Sequence, residues 1–336
     1  MIFDADRHVA VQSYSEIFPF MEHSWQKHFE RKEFVGSIAE SSNHIRVSSR
    51  FGAAPESAPA LAEADHTLLV PHQALTINGW ADNVAAAVFV EAFNSFAAEN
   101  WVSAKTAPAI VVSAADPEWS AREITRRAGD GGFGAVALPL GATLAGSKYY
   151  DPIYEAASNA GLPIVFHFSG VEGFYAGAPG LGGGVHQSAF SRLVLLPQLA
   201  ESTITSLAFE GVFERFPQLR VVFSGFGFSW LPSLLWRLDR EWRTFRHDVP
   251  WVKRVPSEYV LENVWITTWP LQEATMDDDW HRLFSTDALR SRIVFGSHAP
   301  FDGDAPADLV EQLGETDAAL VLGNGAALLP FVSVRA

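Results

Sequence analysis

The chain has 336 residues, enough to bury a large core as one big domain or two ordinary ones. With 48% hydrophobic and 19% charged residues it is not a disordered chain, and the absence of cysteine excludes disulfides, thiolate metal sites and cysteine nucleophiles. A formal net charge of −15, with the basic residues scattered, makes nucleic acid and anionic membrane poor partners.

Asp4, Asp6 and Arg7 interrupt the first ten residues, which no secretory signal core tolerates, and no apolar run reaches the length of a membrane span. The expected setting is therefore cytoplasmic, with no membrane partner. The chain opens on Ile2-Phe3-Asp4-Ala5-Asp6-Arg7-His8, an apolar start too short for a helix that breaks into acids and an imidazole. Asp6 and His8 are two apart, so on an extended backbone they share a side. That pair is half of a divalent-metal site, or else the solvated polar cap of a strand end.

A long segment without strand periodicity follows, about residues 9–64, carrying His23, His28 and His44. It reads as an insertion of short helices packed over one end of the domain, and some of its aromatics, with Phe18, Phe20 and Trp25 as candidates, are expected to face the pocket. Regular alternation starts at His66. Thr67–Pro71 is a strand, Asn83–Trp101 a helix with Val84, Val88, Phe93 and Phe96 at helical spacing, and Ala109–Val112 a third strand. Asp116-Pro117-Glu118 opens a helix expected to end near Arg127, ahead of Gly129 and Gly131.

Further strands are expected at Gly134–Pro139, Leu162–His167, Leu219–Ser224, Val264–Thr268 and Arg292–Ser297. A helix carrying Trp230, Leu234, Leu238 and Trp242 lies between the sixth and seventh. Eight short apolar strands separated mostly by helices give the pattern of an α/β (β/α)8 TIM barrel, one domain over residues 1–336 with the 9–64 insertion after the first strand. An open doubly wound sheet usually shows a glycine-rich phosphate loop after its first strand, and none occurs here. Gly180–Gly184 follows the fifth strand and lacks a Gly-Lys-Ser/Thr ending, so no nucleotide cofactor is expected.

In such a barrel the reacting groups sit where strands leave the core. Those positions hold Asp6 and His8, His167, Ser224, Thr268 and His298. One carboxylate and three imidazoles converging on one mouth suit zinc first, with iron or manganese as alternatives.

The chain also resembles the amidohydrolase superfamily, in the amidohydrolase-related branch that includes aminocarboxymuconate-semialdehyde decarboxylase and the resorcylate-type decarboxylases. The resemblance is carried by Asp4–His8, Pro163–His167, Glu210–Pro217, Phe228–Pro232, Trp236–Asp239 and Phe295–Ser297, and spans nearly the whole chain. It implies a mononuclear divalent metal held by Asp6, His8 and His167, used to activate water for hydrolysis or to hold a carboxylated substrate for decarboxylation. The chain also departs from the pattern. After the eighth strand the family usually reads Ser-Asp-Tyr-Pro-His, whereas this chain reads Ser297-His298-Ala299-Pro300-Phe301. Ser224 stands where a histidine or glutamate is usual, and His186 loosely matches a histidine beyond the fifth strand.

These readings combine into one expectation: a metal-dependent hydrolase acting on a small anionic or aromatic molecule. Asp6, His8, His167 and His298 would hold the metal, and His298, His186 and Ser224 would be the catalytic side chains. Phe168, Trp230 and Phe301 would contact substrate, and Asp302 or Asp304 could stand in for the missing carboxylate. Non-oxidative decarboxylation is the second reading, and a metal-free barrel that binds or rearranges a small molecule is the third. A homodimer is compatible with all three.

Overall fold

The computed structural model describes residues 1–31, 63–80, 82–170, 172, 179–180, 189–271, 279–301 and 303–328. Its eight strands are β1 (Phe3–Val9), β2 (His66–Pro71), β3 (Thr106–Val111), β4 (Ala135–Pro139), β5 (Ile164–His167), β6 (Val221–Ser224), β7 (Val264–Thr267) and β8 (Ile293–Val294). They pair in parallel and in sequence order. The end of the chain's eighth segment returns to the first: the Ala5 amide donates to Phe295 O at 2.9 Å and the His298 amide to Asp6 O at 2.7 Å. The sheet is thus the expected (β/α)8 barrel, with its first and eighth segments side by side. Helices cover the outside and side chains fill the inside, which is why the strands read as nearly unbroken apolar runs.

Local chemistry explains the boundaries. Asp82 caps the helix Asn83–Asn100 by accepting from the amides of Val84 and Ala85, and Asp116 caps Pro117–Asp130 by accepting from Trp119 N at 3.0 Å. The second helix runs three residues past the expected end because its terminator is Gly131, at φ +75°, rather than Gly129. β3 starts three residues early: the Thr106 hydroxyl donates to Trp101 O at 2.8 Å and completes the turn before the apolar run begins.

Regular pairing in β8 ends at Val294, short of the expected Ser297. The chain there squeezes past its neighbours at Gly296, where a Cβ would lie 2.9 Å from the Cβ atoms of both Asp6 and Thr267. Only glycine lets the residues after β8 reach the barrel mouth along this path.

The described part of the insertion is built on aromatic packing. It forms 3-10 turns at Tyr14–Glu16 and Phe18–Phe20 and a helix at His23–Arg31. Phe20 meets Phe96 edge-on at 6.1 Å, Phe29 packs on Phe89 and Trp80, and Trp25 packs on Phe29. Phe20 and Phe29 thus pack on the outer helix Asn83–Asn100, and Trp25 packs on Phe29. Burial of apolar surface accounts for these contacts. His44, with the rest of residues 32–62, lies outside the described residues. Within them, no helix is long and apolar enough to cross a membrane.

Candidate metal centre

The alternation of β1 places Asp6 and His8 on one side, as their spacing requires. The register with β2 slips between Asp4 and Arg7, a bulge that contains Asp6 and precedes His8. Asp4 anchors the seam below them. Its carboxylate accepts from Ser297 N at 2.9 Å, Ser297 Oγ at 2.6 Å and Asp6 N at 3.1 Å. Burial pushes this carboxyl up to about 6 against those hydrogen bonds. Buried Arg7 supplies the opposing charge.

That anchor delivers His298, whose backbone adopts φ +53°, a left-handed conformation rare outside glycine. The ring turns Nδ1 inward, 2.9 Å from His8 Nε2 and 3.1 Å from Asp6 Oδ2. His167, at the end of β5, gives its Nδ1 proton to Phe168 O, leaving Nε2 pointed at Asp6 Oδ1, 3.7 Å away. His8 Nε2 lies 3.5 Å from the same oxygen. One ligand atom from each of Asp6, His8, His167 and His298 thus falls within 4.8 Å of all the others, and all four residues are buried.

The electrostatics call for a cation. Burial holds the His8 imidazole well below its ordinary value and lowers His298 as well, so both rings are neutral at pH 7. Burial alone would raise Asp6, but His8, His167 and His298 outweigh it and keep that carboxyl well below the usual range. Even so, Asp6 Oδ1 and His167 Nε2 are buried and have no hydrogen-bond partner. Four oxygen and nitrogen donors converging on one point fit a divalent ion of the zinc or manganese kind.

Of the other expected site residues, Phe168 and Phe301 do flank the cluster. Phe168 lies 4.7 Å from His167, and Phe301 lies 5.1 Å from His8 and 5.3 Å from His298, centroid to centroid. Trp230 is placed differently: its Nε1 donates to Phe226 O and Gly227 O, which braces the turn after β6. Ser224 is buried and shares a hydrogen bond with Thr267 Oγ1 at 3.1 Å, and Thr268 donates its hydroxyl toward Gly296 O. Asp304 accepts from Leu271 N at 2.9 Å, tying two loops together outside the ligand cluster. His186 and Asp302 lie outside the described residues.

Two site neighbours escaped the sequence reading. His72 follows β2, its ring 5.5 Å from His8 and 4.9 Å from Phe301. Burial, with His167 and His298 nearby, pushes its imidazole down to about 3. Trp269 follows β7 and stacks on His298 at 3.5 Å with 15° between planes. The rule that found the others, a polar or aromatic side chain just past a strand end, would have flagged both.

A closed parallel barrel with a carboxylate–imidazole cluster suited to a metal at the C-terminal ends of its strands defines the class. Within that class the chain belongs to the amidohydrolase family, whose model matches residues 27–326. It is similar to solved structures over nearly its full length. One is an amidohydrolase from Mycobacterium avium subsp. paratuberculosis K-10 (17% identity, 97% of this chain and 98% of that one, TM-score 0.69). A second is 5-carboxyvanillate decarboxylase from Sphingomonas paucimobilis (19%, 98% and 99%, TM-score 0.68). A third is a dihydroxybenzoic acid decarboxylase from Polaromonas sp. JS666, with bound manganese and the inhibitor 2-nitroresorcinol (17%, 97% and 96%, TM-score 0.66). No curated protein matches the chain in sequence.

Proposed function

We propose that the protein is a metal-dependent, non-oxidative decarboxylase of a small aromatic carboxylic acid. This reverses the order expected from the sequence, where hydrolysis stood first. The supporting observation is the role of His298. At the position where the family usually carries an aspartate able to shuttle protons, this chain has an imidazole whose Nδ1 is turned into the ligand cluster. Asp6 is the one carboxylate of that cluster and is itself a ligand candidate. Hydrolysis needs a free base to take a proton from water and return it to the leaving group. Decarboxylation needs chiefly a held carboxylate and a stabilised negative charge. The structurally similar decarboxylases, one of them with manganese, support the same reading.

Asp6, His8, His167 and His298 would hold the divalent ion. When bound, it supplies the positive charge that holds the substrate carboxylate and stabilises negative charge developing on the ring. Phe168, Trp269 and Phe301 flank a flat substrate and exclude water from it. His72, neutral at pH 7, offers a ring N–H to a substrate oxygen from the edge of the cluster. In the reaction the bond from ring to carboxylate breaks, carbon dioxide leaves, and a proton takes its place on carbon.

The test is to load the purified protein with Mn2+ or Zn2+ and offer hydroxylated benzoates, following carbon dioxide release and incorporation of labelled water oxygen. Carbon dioxide release without label in the aromatic product is expected. Label incorporated into hydrolysed amides or esters, with no carbon dioxide from any benzoate, would restore hydrolysis as the better reading.

A further inference from the structure

His298 is held more tightly than a strand-end side chain needs to be. Its amide donates to Asp6 O at 2.7 Å, its carbonyl accepts from Phe301 N at 3.2 Å, and its φ of +53° is a strained choice for a β-carbon residue. One ring face lies flat against Trp269, centroids 3.5 Å apart. His167 lies parallel to the same ring, 5.6 Å away with 2° between planes. Phe168, 4.7 Å from His167 and 6.3 Å from Trp269, joins the two ends of the arrangement. Gly225, at φ +89°, leaves Phe168 room, since any Cβ there would run into that ring.

A carboxylate can approach a metal from many directions with either oxygen. An imidazole has one in-plane lone pair per nitrogen, and a half-turn about its Cβ–Cγ bond replaces Nδ1 with a carbon. A histidine at this position therefore needs its ring plane fixed, and a flat indole fixes it. A metal-bound imidazole also carries part of the ion's charge, which the indole face attracts.

Resting on the metal-dependent reading above, we infer that Trp269 is a positioning residue that clamps the His298 imidazole and so adapts this metal centre to histidine in place of aspartate. The stack is worth most when the ion is present, because the positive charge on the ring is then greatest. Trp269 thus strengthens metal binding through His298 alone.

The experiment is a double-mutant cycle read by calorimetric titration of Mn2+ or Zn2+, with thermal melts to show that each variant is folded. Trp269→Leu is expected to weaken metal binding about tenfold in the wild-type background. Trp269→Phe, which keeps an aromatic face, should restore most of that affinity. In a His298→Asp background Trp269→Leu should leave affinity unchanged, since a carboxylate has no ring to clamp. An equal loss in both backgrounds, or no loss in either, overturns the inference, as does a wild-type protein that binds no metal. Metal binding that follows the predicted cycle, with no decarboxylation of any acid, would leave the clamp standing and sink only the decarboxylase reading.

Discussion

Two buried polar clusters in this protein differ in whether all their buried polar atoms find partners. Behind β3, Asn94 Nδ2 donates to Val111 O and to Glu123 Oε1, both at 2.9 Å, and Asn94 Oδ1 accepts from Val111 N at 3.0 Å. Glu123 then takes Arg126 at 2.7 Å and Arg127 at 3.2 Å, and Arg127 reaches Asp130 at 2.7 Å. None of the side-chain atoms in this network is both buried and unpartnered, so it joins two helices and a strand and needs nothing from outside. At the barrel mouth, Asp6 and His167 keep ligand atoms buried and unpartnered. The first cluster is finished; the second keeps donor atoms for a cation.

The largest effect that would break this contrast is at the mouth. Asp6→Asn removes the only charged donor of the cluster among the described residues, so metal content measured by mass spectrometry after purification without chelator should fall to background. The folded state holds the Asp6 carboxyl well below its ordinary value, so its charge adds stability at neutral pH, and the metal-free variant should melt below the metal-free wild type. A variant that retained metal, or melted above wild type without metal, would contradict the account of Asp6.

The finished cluster should respond in stability alone. Glu123→Ala leaves buried Arg127 short of its partner and is expected to cost about 3 kcal/mol in urea denaturation, with metal content unchanged. Smaller again is His298→Asp. Aspartate tolerates the left-handed backbone there, so metal affinity should stay within about tenfold of wild type. Retention is measured by the same titration, and loss of metal would show that the imidazole cannot be replaced.

The smallest effect is a slope. Burial raises the Glu123 carboxyl above its ordinary 4.5, against Asn94 and the two arginines. The folded state then binds this proton more tightly than the unfolded chain, so Glu123 adds stability below pH 4.5 and loses it as pH rises through the folded value. Glu123→Gln cannot titrate, and its stability should fall less steeply with rising pH across that window. Parallel slopes for the two proteins in urea melts at stepped pH would remove the effect.

Much of the fold was legible because strand and helix periods are local. The unbroken apolar runs predict strands buried on both faces, the caps at Asp82 and Asp116 mark helix starts, and eight such runs imply a barrel that must close β8 onto β1. The four residues that the structure brings together at the mouth were also readable, since each stands at a strand end and the closure of a barrel makes strand ends neighbours.

Other features depended on packing between elements distant in sequence. Phe20 carries the same apolar signal whatever it packs on, and only the path of the chain brings it against Phe96. Trp230 and Trp269 follow strands six and seven in similar surroundings, yet one braces a turn and the other stacks on His298. Asp4 and Asp6 are equally acidic in the sequence. Three hydrogen bonds, two of them from Ser297, occupy the first, while the second is left among imidazoles with an oxygen unclaimed. Periodicity sets which way a side chain points; what it meets there is decided by residues hundreds of positions away, and that meeting separates a structural acid from a ligand.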